Sequence, residues 1–188
     1  MTLLVLGVLL WSAVHLTTTL RLGFRTILIE KMGAGPYKGM VSFLLLLSIA
    51  LIVFGWRSAE FVHLYDPPLW NSPLVLVIMF VSFLLFSASR PGSNIRHWIR
   101  HPQLSGLIVW AIAHLLANGD SRALVLFGGL GLWALVTMLA TNRRDGAWDR
   151  PELGSWTREL IGAGITFVLF CVVAFLHPYF TGMQVLVR

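Results

Sequence analysis

The chain is short of charge and almost without cysteine. Asp, Glu, Lys and Arg supply 12% of its 188 residues, about half the share found in soluble domains, which excludes an ordinary fully wetted surface. The one cysteine, Cys171, excludes an intramolecular disulfide framework and a cysteine-only metal site. Its place inside an apolar run gives it the expected role of a small core hydrophobe. A basic stretch ahead of the first apolar segment is also missing, because Arg21 and Arg25 follow that segment instead. This order is the reverse of a secretory signal peptide and predicts a retained helix with its N-terminus outside. Internal repeats and low-complexity tracts are lacking as well.

What is present is apolar sequence, 57% of all residues. About 20 mostly apolar residues cross the hydrocarbon of a bilayer as a helix. Six stretches approach that length: Leu3–Leu20, Gly39–Trp56, Pro73–Ser89, Gln103–Asn118, Arg122–Thr141 and Leu160–Phe180. The fourth gains length if it starts at Pro102, a residue suited to the first helical position. Asn118-Gly119-Asp120 then ends it with residues that tolerate left-handed backbone, and Asp120 is placed to cap the next helix or to pair with Arg122. The expected fold is an all-α polytopic transmembrane bundle of about six helices, one domain over residues 1–188. Small residues in Phe127-Gly128-Gly129-Leu130-Gly131 and Gly162-Ala163-Gly164 predict close helix packing.

The formal charge of +6 does not point to nucleic acid, because the positive residues sit between apolar segments. Arg21, Arg25, Lys31, Lys38, Arg90, Arg96, Arg100, Arg143, Arg144, Arg150 and Arg158 follow the first, third and fifth stretches. Only Arg57, Arg122 and Arg188 fall on the other side. The positive-inside rule places the basic loops in the cytoplasm and both termini in the periplasm. The bilayer is the expected partner. Trp148 and Trp156 would anchor the mixed-charge loop Arg143–Glu159 at the interface.

Against this background His114 stands out, because a titratable side chain in an apolar span is costly and marks a functional site by default. Helical spacing puts Gln103, Gly106, Trp110, His114 and Ala117 on one face. The first stretch repeats the device, with Ser12, His15 and Thr19 on one face and Trp11 four residues before His15. Desolvation favours the neutral imidazole, which is a common metal ligand. Two such rings facing each other across a bundle suit the axial positions of a haem iron. The alternative is that each histidine only hydrogen-bonds a neighbouring helix. His97 and His101, four apart, form a weaker metal pair, since His101 precedes Pro102 and is biased away from helix. Arg96 and Arg100 suit lipid phosphates, cofactor carboxylates or a nucleotide-like ligand. His63, beside Asp66-Pro67-Pro68, reads as an outer-loop residue.

The run from Ser89-Arg90-Pro91 through Arg96-His97-Trp98-Ile99-Arg100-His101-Pro102-Gln103 to Trp110-Ala111-Ile112-Ala113-His114-Leu115-Leu116-Ala117-Asn118-Gly119-Asp120 resembles the NnrU family. His15, Gly33, Tyr37, Gly39 and Gly55-Trp56 fit the same pattern. The resemblance implies a multi-pass protein of the bacterial inner membrane, associated with denitrification through nitric oxide and nitrite reduction. It is also distantly similar to the 15-cis-zeta-carotene isomerases, membrane haem b enzymes. That similarity implies haem b held by His15 and His114, with His101 a further motif histidine and a lipophilic polyene as substrate. Alanine stands at Ala111, where those isomerases carry a cysteine proposed as an alternative ligand. Trp110, Arg96, Arg100 and His101 complete the expected cofactor site, with Arg96, Arg100 or Arg21 meeting the propionates. The Arg100-His101-Pro102 start with Gly106 also resembles the isoprenylcysteine methyltransferases, which implies S-adenosylmethionine as the alternative cofactor. Their Glu-Glu pair is absent here, and Arg158-Glu159-Leu160 stands in its place. A cofactor-free assembly factor is the third reading.

Overall fold

In the computed structural model, residues 1–20, 22–68 and 71–182 are described. Arg21 and Arg188, both used in the charge argument, lie outside them. The described chain is helical, with α1 (Thr2–Leu20), α2 (Leu22–Met32), α3 (Ala34–Ser58), α4 (Asn71–Ser87), α5 (Pro102–Ala117), α6 (Ser121–Asp145) and α7 (Trp156–Thr181). A short 3-10 turn covers Asn94–His97, and a π turn interrupts α6 over Leu124–Gly128. Three helices, Ala34–Ser58, Ser121–Asp145 and Trp156–Tyr179, are long and apolar enough to cross a membrane. Three shorter apolar helices are Thr2–Thr17, Pro73–Ser87 and Pro102–Ala117. At 1.5 Å per residue, the 16 residues of α5 reach about 24 Å, short of a hydrocarbon core of about 30 Å.

α2 is an element that the apolar runs do not announce. Its charged residues Arg25, Glu30 and Lys31 mark it as loop by composition, yet the backbone is helical. Gly33 separates it from α3 with φ at +87°, a conformation that favours glycine. Pro36 follows in the first turn of α3, where its missing N–H costs nothing. α3 therefore begins five residues before the expected Gly39 and takes Lys38 into the helix.

By its contacts the chain forms two compact units, Met1–Asp66 with Asn118–Gly146, and Pro67–Ala117 with Ala147–Arg188. In the first unit, α1 and α3 approach at backbone distance. A Cβ on Gly7 would lie 2.8 Å from Ile52 N, and one on Gly55 would lie 2.6 Å from Leu4 Cα. Gly129 of α6 presses on Val8 in the same way, 2.7 Å from its Cγ1. This is the packing expected of small residues between apolar helices, where van der Waals contact replaces the hydrophobic drive. Gly162 and Gly164, expected to serve likewise, do not. Nothing lies within 4 Å of a Cβ at Gly164, and Gly162 instead receives the guanidinium of Arg90.

The Asn118-Gly119-Asp120 corner also departs from expectation. Positive φ is confined to Gly33, Gly92, Gly146 and Gly182 among the described residues, so Gly119 is not left-handed. Glycine is needed there because Tyr65 O occupies the place of a Cβ. Gly119 O accepts from Leu64 N at 2.8 Å and Tyr65 N at 3.1 Å, Val62 O accepts from Ser121 N at 2.9 Å, and Tyr65 Oη donates to Asn118 O. Asp120, 1% exposed, fulfils both of its expected roles. Its Oδ1 accepts from the backbone N–H groups of Arg122 and Ala123 and from Arg122 Nε at 3.2 Å. The Arg122 guanidinium in turn lies over the rings of Trp56 and Phe61. Cys171 is exposed on α7 and not in a core. It shares that surface with Leu160, Val168 and Phe175, an apolar face suited to lipid.

Candidate functional site

His15 belongs to the first unit and His114 to the second. In the first, α1 carries Trp11 and His15 one turn apart, with ring centroids 4.4 Å apart. Trp133 of α6 closes on the same imidazole at 5.2 Å and meets Trp11 edge-on at 6.3 Å. The indole N–H groups of Trp11 and Trp133 are buried and have no hydrogen-bond partner among the described residues. Ser12 does not join this group, because its hydroxyl donates back to Val8 O at 2.7 Å. At the other end of α1, Thr19 O accepts from Arg144 Nη1, a cation at the helix C-terminus where the backbone dipole favours it.

In the second unit, α5 starts at buried Pro102 and packs on α4 through Gly106. Ser82 Oγ donates to Gly106 O at 2.8 Å, and a Cβ at 106 would meet Leu85 Cβ at 3.2 Å. One turn further on, the rings of Trp110 and His114 meet with centroids 4.5 Å apart and planes tilted by 50°. His114 Nδ1 lies 2.9 Å from Trp110 O. A carbonyl only accepts, so Nδ1 carries the proton and the lone pair of the neutral ring sits on Nε2. Gln103 and Ala117, placed by spacing on the His114 face, are exposed, so that face is buried only in its middle.

His177 of α7 stands 6.5 Å from His114 between ring centroids. Neither His177 nor Trp133 follows from the spacing within α1 or α5. The available signal was the one that marked His114, a polar or indole-bearing side chain inside an apolar run. Which helix meets which is not encoded in periodicity.

The juxtamembrane motif of the second unit is clamped. Ser93 caps the 3-10 turn and donates to Glu159 Oε1 at 2.9 Å, while Asn94 N donates to Glu159 Oε2 at 3.0 Å. The Asn94 amide, 1% exposed, exchanges two hydrogen bonds with the backbone of Gly154. His97 Nδ1 donates to Pro151 O at 2.8 Å. His97 and His101 do not share a helix, in keeping with the bias of a residue before proline, because the turn ends at His97 and residues 98–101 are irregular. Pro102 forbids the helix from continuing backwards through His101. His101 instead supplies the carbonyl that accepts from Ser105 N, opening α5. Arg96, Arg100 and His101 are half-buried around this turn. His63 pairs with Asp66 at 3.3 Å in an exposed loop. Among the described residues, no group of three or more His, Cys, Asp or Glu side chains is arranged for a metal ion.

Comparison with curated proteins and with solved structures gives no match. The sequence profile described as NnrU protein matches residues 3–185. With nearly its whole length covered, the chain belongs to the NnrU family.

Proposed function

We propose that this NnrU-family protein binds haem b, with His15 and His114 as iron ligands, in a six-span protein of the bacterial inner membrane. The basic loops would face the cytoplasm and both termini the periplasm. The observation that carries the haem reading is the bond from His114 Nδ1–H to Trp110 O. Metal-ligating histidines commonly donate one ring N–H to a carbonyl, which fixes the tautomer and directs the other nitrogen to the metal. The donor set fits haem, which takes axial imidazole. The buried N–H groups of Trp11 and Trp133 beside His15 add two donors that a bound group with acceptor atoms would satisfy. Arg96 and Arg100 supply cations for the propionates. Bound haem would supply one-electron chemistry and affinity for nitric oxide. The family resemblance links that chemistry to nitric oxide and nitrite reduction, or to isomerisation of a lipophilic polyene.

The test is the absorption spectrum of protein purified from a haem-replete host, followed by a pyridine-haemochrome assay. A Soret band with about one haem per chain is expected, and His15→Ala and His114→Ala should each disturb the low-spin bands. A folded, colourless protein refutes the proposal. Heat on titration with S-adenosylhomocysteine would turn it towards a methyltransferase.

A further inference from the structure

A groove in the second unit takes no part in the histidine reading. It lies between α4 and α7, is open to the surface with a volume of about 600 Å³, and reaches along α7 from Arg158 to Val173. Phe83 and Phe86 form one wall, and Ile161, Ile165 and Leu169 form the other. The helix along it rises about 22 Å, more than the roughly 15 Å of one leaflet of hydrocarbon.

One end of this apolar groove is cationic. Arg90 and Arg158 both line it. The Arg90 guanidinium is fixed there, donating to Ser87 Oγ at 2.9 Å and to Arg158 O at 3.4 Å, with Glu159 Oε2 at 3.6 Å. Gly162 makes room for it, since a Cβ there would lie 2.7 Å from Arg90 Cζ. Glu159 is shared with Ser93 and Asn94, so it offsets Arg90 only in part. The exposed Arg158 forms no ion pair among the described residues. Two guanidinium groups against one carboxylate leave net positive charge at the mouth. Trp156, two residues before Arg158, meets Trp98 with centroids 6.0 Å apart and planes tilted by 38°, an aromatic pair of the kind that marks the level of lipid headgroups.

Charge at one end and apolar walls along the rest complement an amphiphile with an anionic head and a long chain. We propose that the groove binds an anionic phospholipid of the bilayer, its phosphate on Arg90 and Arg158 and one acyl chain along Phe83, Ile165 and Leu169. The surplus charge selects an anionic over a zwitterionic lipid, and the walls select a lipid over free phosphate.

Native mass spectrometry of the full chain, with added phosphatidylglycerol, phosphatidylcholine or inorganic phosphate, tests this. Phosphatidylglycerol should be retained about fivefold better than phosphatidylcholine, and Arg158→Gln should lower that preference by about the same factor. Ile165→Trp fills the groove away from both arginines and should cut retention of phosphatidylglycerol several-fold. Neither variant touches the Ser87 and Glu159 contacts of Arg90, and unchanged circular dichroism would establish that both fold. Equal retention of the two lipids, parent-like binding by both variants, or equal binding of phosphate alone would overturn the proposal.

Discussion

Adding a single methyl group at Gly55 should force α1 and α3 apart. In Gly55→Ala the new Cβ falls 2.6 Å from Leu4 Cα and 2.8 Å from Leu3 C. Carbon atoms in ordinary contact sit about 3.5–4.0 Å apart, so relief requires a shift of about 1 Å. The obstructing atoms are backbone, and Leu4 is 0% exposed, so no side-chain rotation provides it. Overpacking of this kind costs about 1–3 kcal/mol, against which alanine recovers about 0.5–1 kcal/mol of helix propensity. Gly39→Ala, in the same helix with nothing within 4 Å of its Cβ, should gain that propensity without the clash. The two variants should therefore differ by about 2 kcal/mol, or about 4–8 °C in melting temperature for a chain of this size. Thermal unfolding in one detergent, followed by intrinsic tryptophan fluorescence, measures the gap. A Gly55→Ala protein that melts with or above Gly39→Ala would refute the close-approach argument.

Asp120→Ala should destabilise the first unit by about 2 kcal/mol or more, because it removes a helix cap and strips Arg122 of its buried partner. Asp120→Asn should keep most of the cap, and a urea titration of the two variants checks the order. Burial first, and the Asp120 carboxylate second, push the Tyr65 hydroxyl above its usual pKa of 10.0. A raised acid is held neutral by the fold, so its stabilising share is complete below pH 10 and is lost as pH rises through the folded value. Phenolate also cannot donate to Asn118 O. Tyr65→Phe should accordingly flatten the loss of melting temperature above pH 10 that the parent protein shows.

The fold was legible wherever one strong local signal set an element. Pro102 fixed the start of α5, Asp120 capped α6, and long apolar runs marked α3, α6 and α7. It was not legible where an element lacks an apolar stripe. α2 carries Arg25, Glu30 and Lys31, and its helix is invisible to hydrophobicity. Long-range contact was hidden for a different reason. Gly119 reads as a turn residue, yet it is glycine because Tyr65, 54 positions earlier, passes too close for a side chain. The candidate site divides in the same way. Trp11–His15 and Trp110–His114 follow from a four-residue period on one helix, whereas Trp133 and His177 arrive from other helices.

The order of the two units along the chain has a consequence for biogenesis. Each is discontinuous, and they alternate: residues 1–66, then 67–117, then 118–146, then 147–188. Neither can be completed as it leaves the ribosome in sequence. The α1–α3 pair must wait in the membrane until α6 is synthesised to cover Val8 and His15, and α4–α5 must wait for α7. Both indole-flanked histidines thus acquire their final neighbours only in the last third of synthesis. A chain released at Ala117 would hold Trp110 and His114 already in ring contact, with the surfaces meant for α6 and α7 still open to lipid and to chaperones.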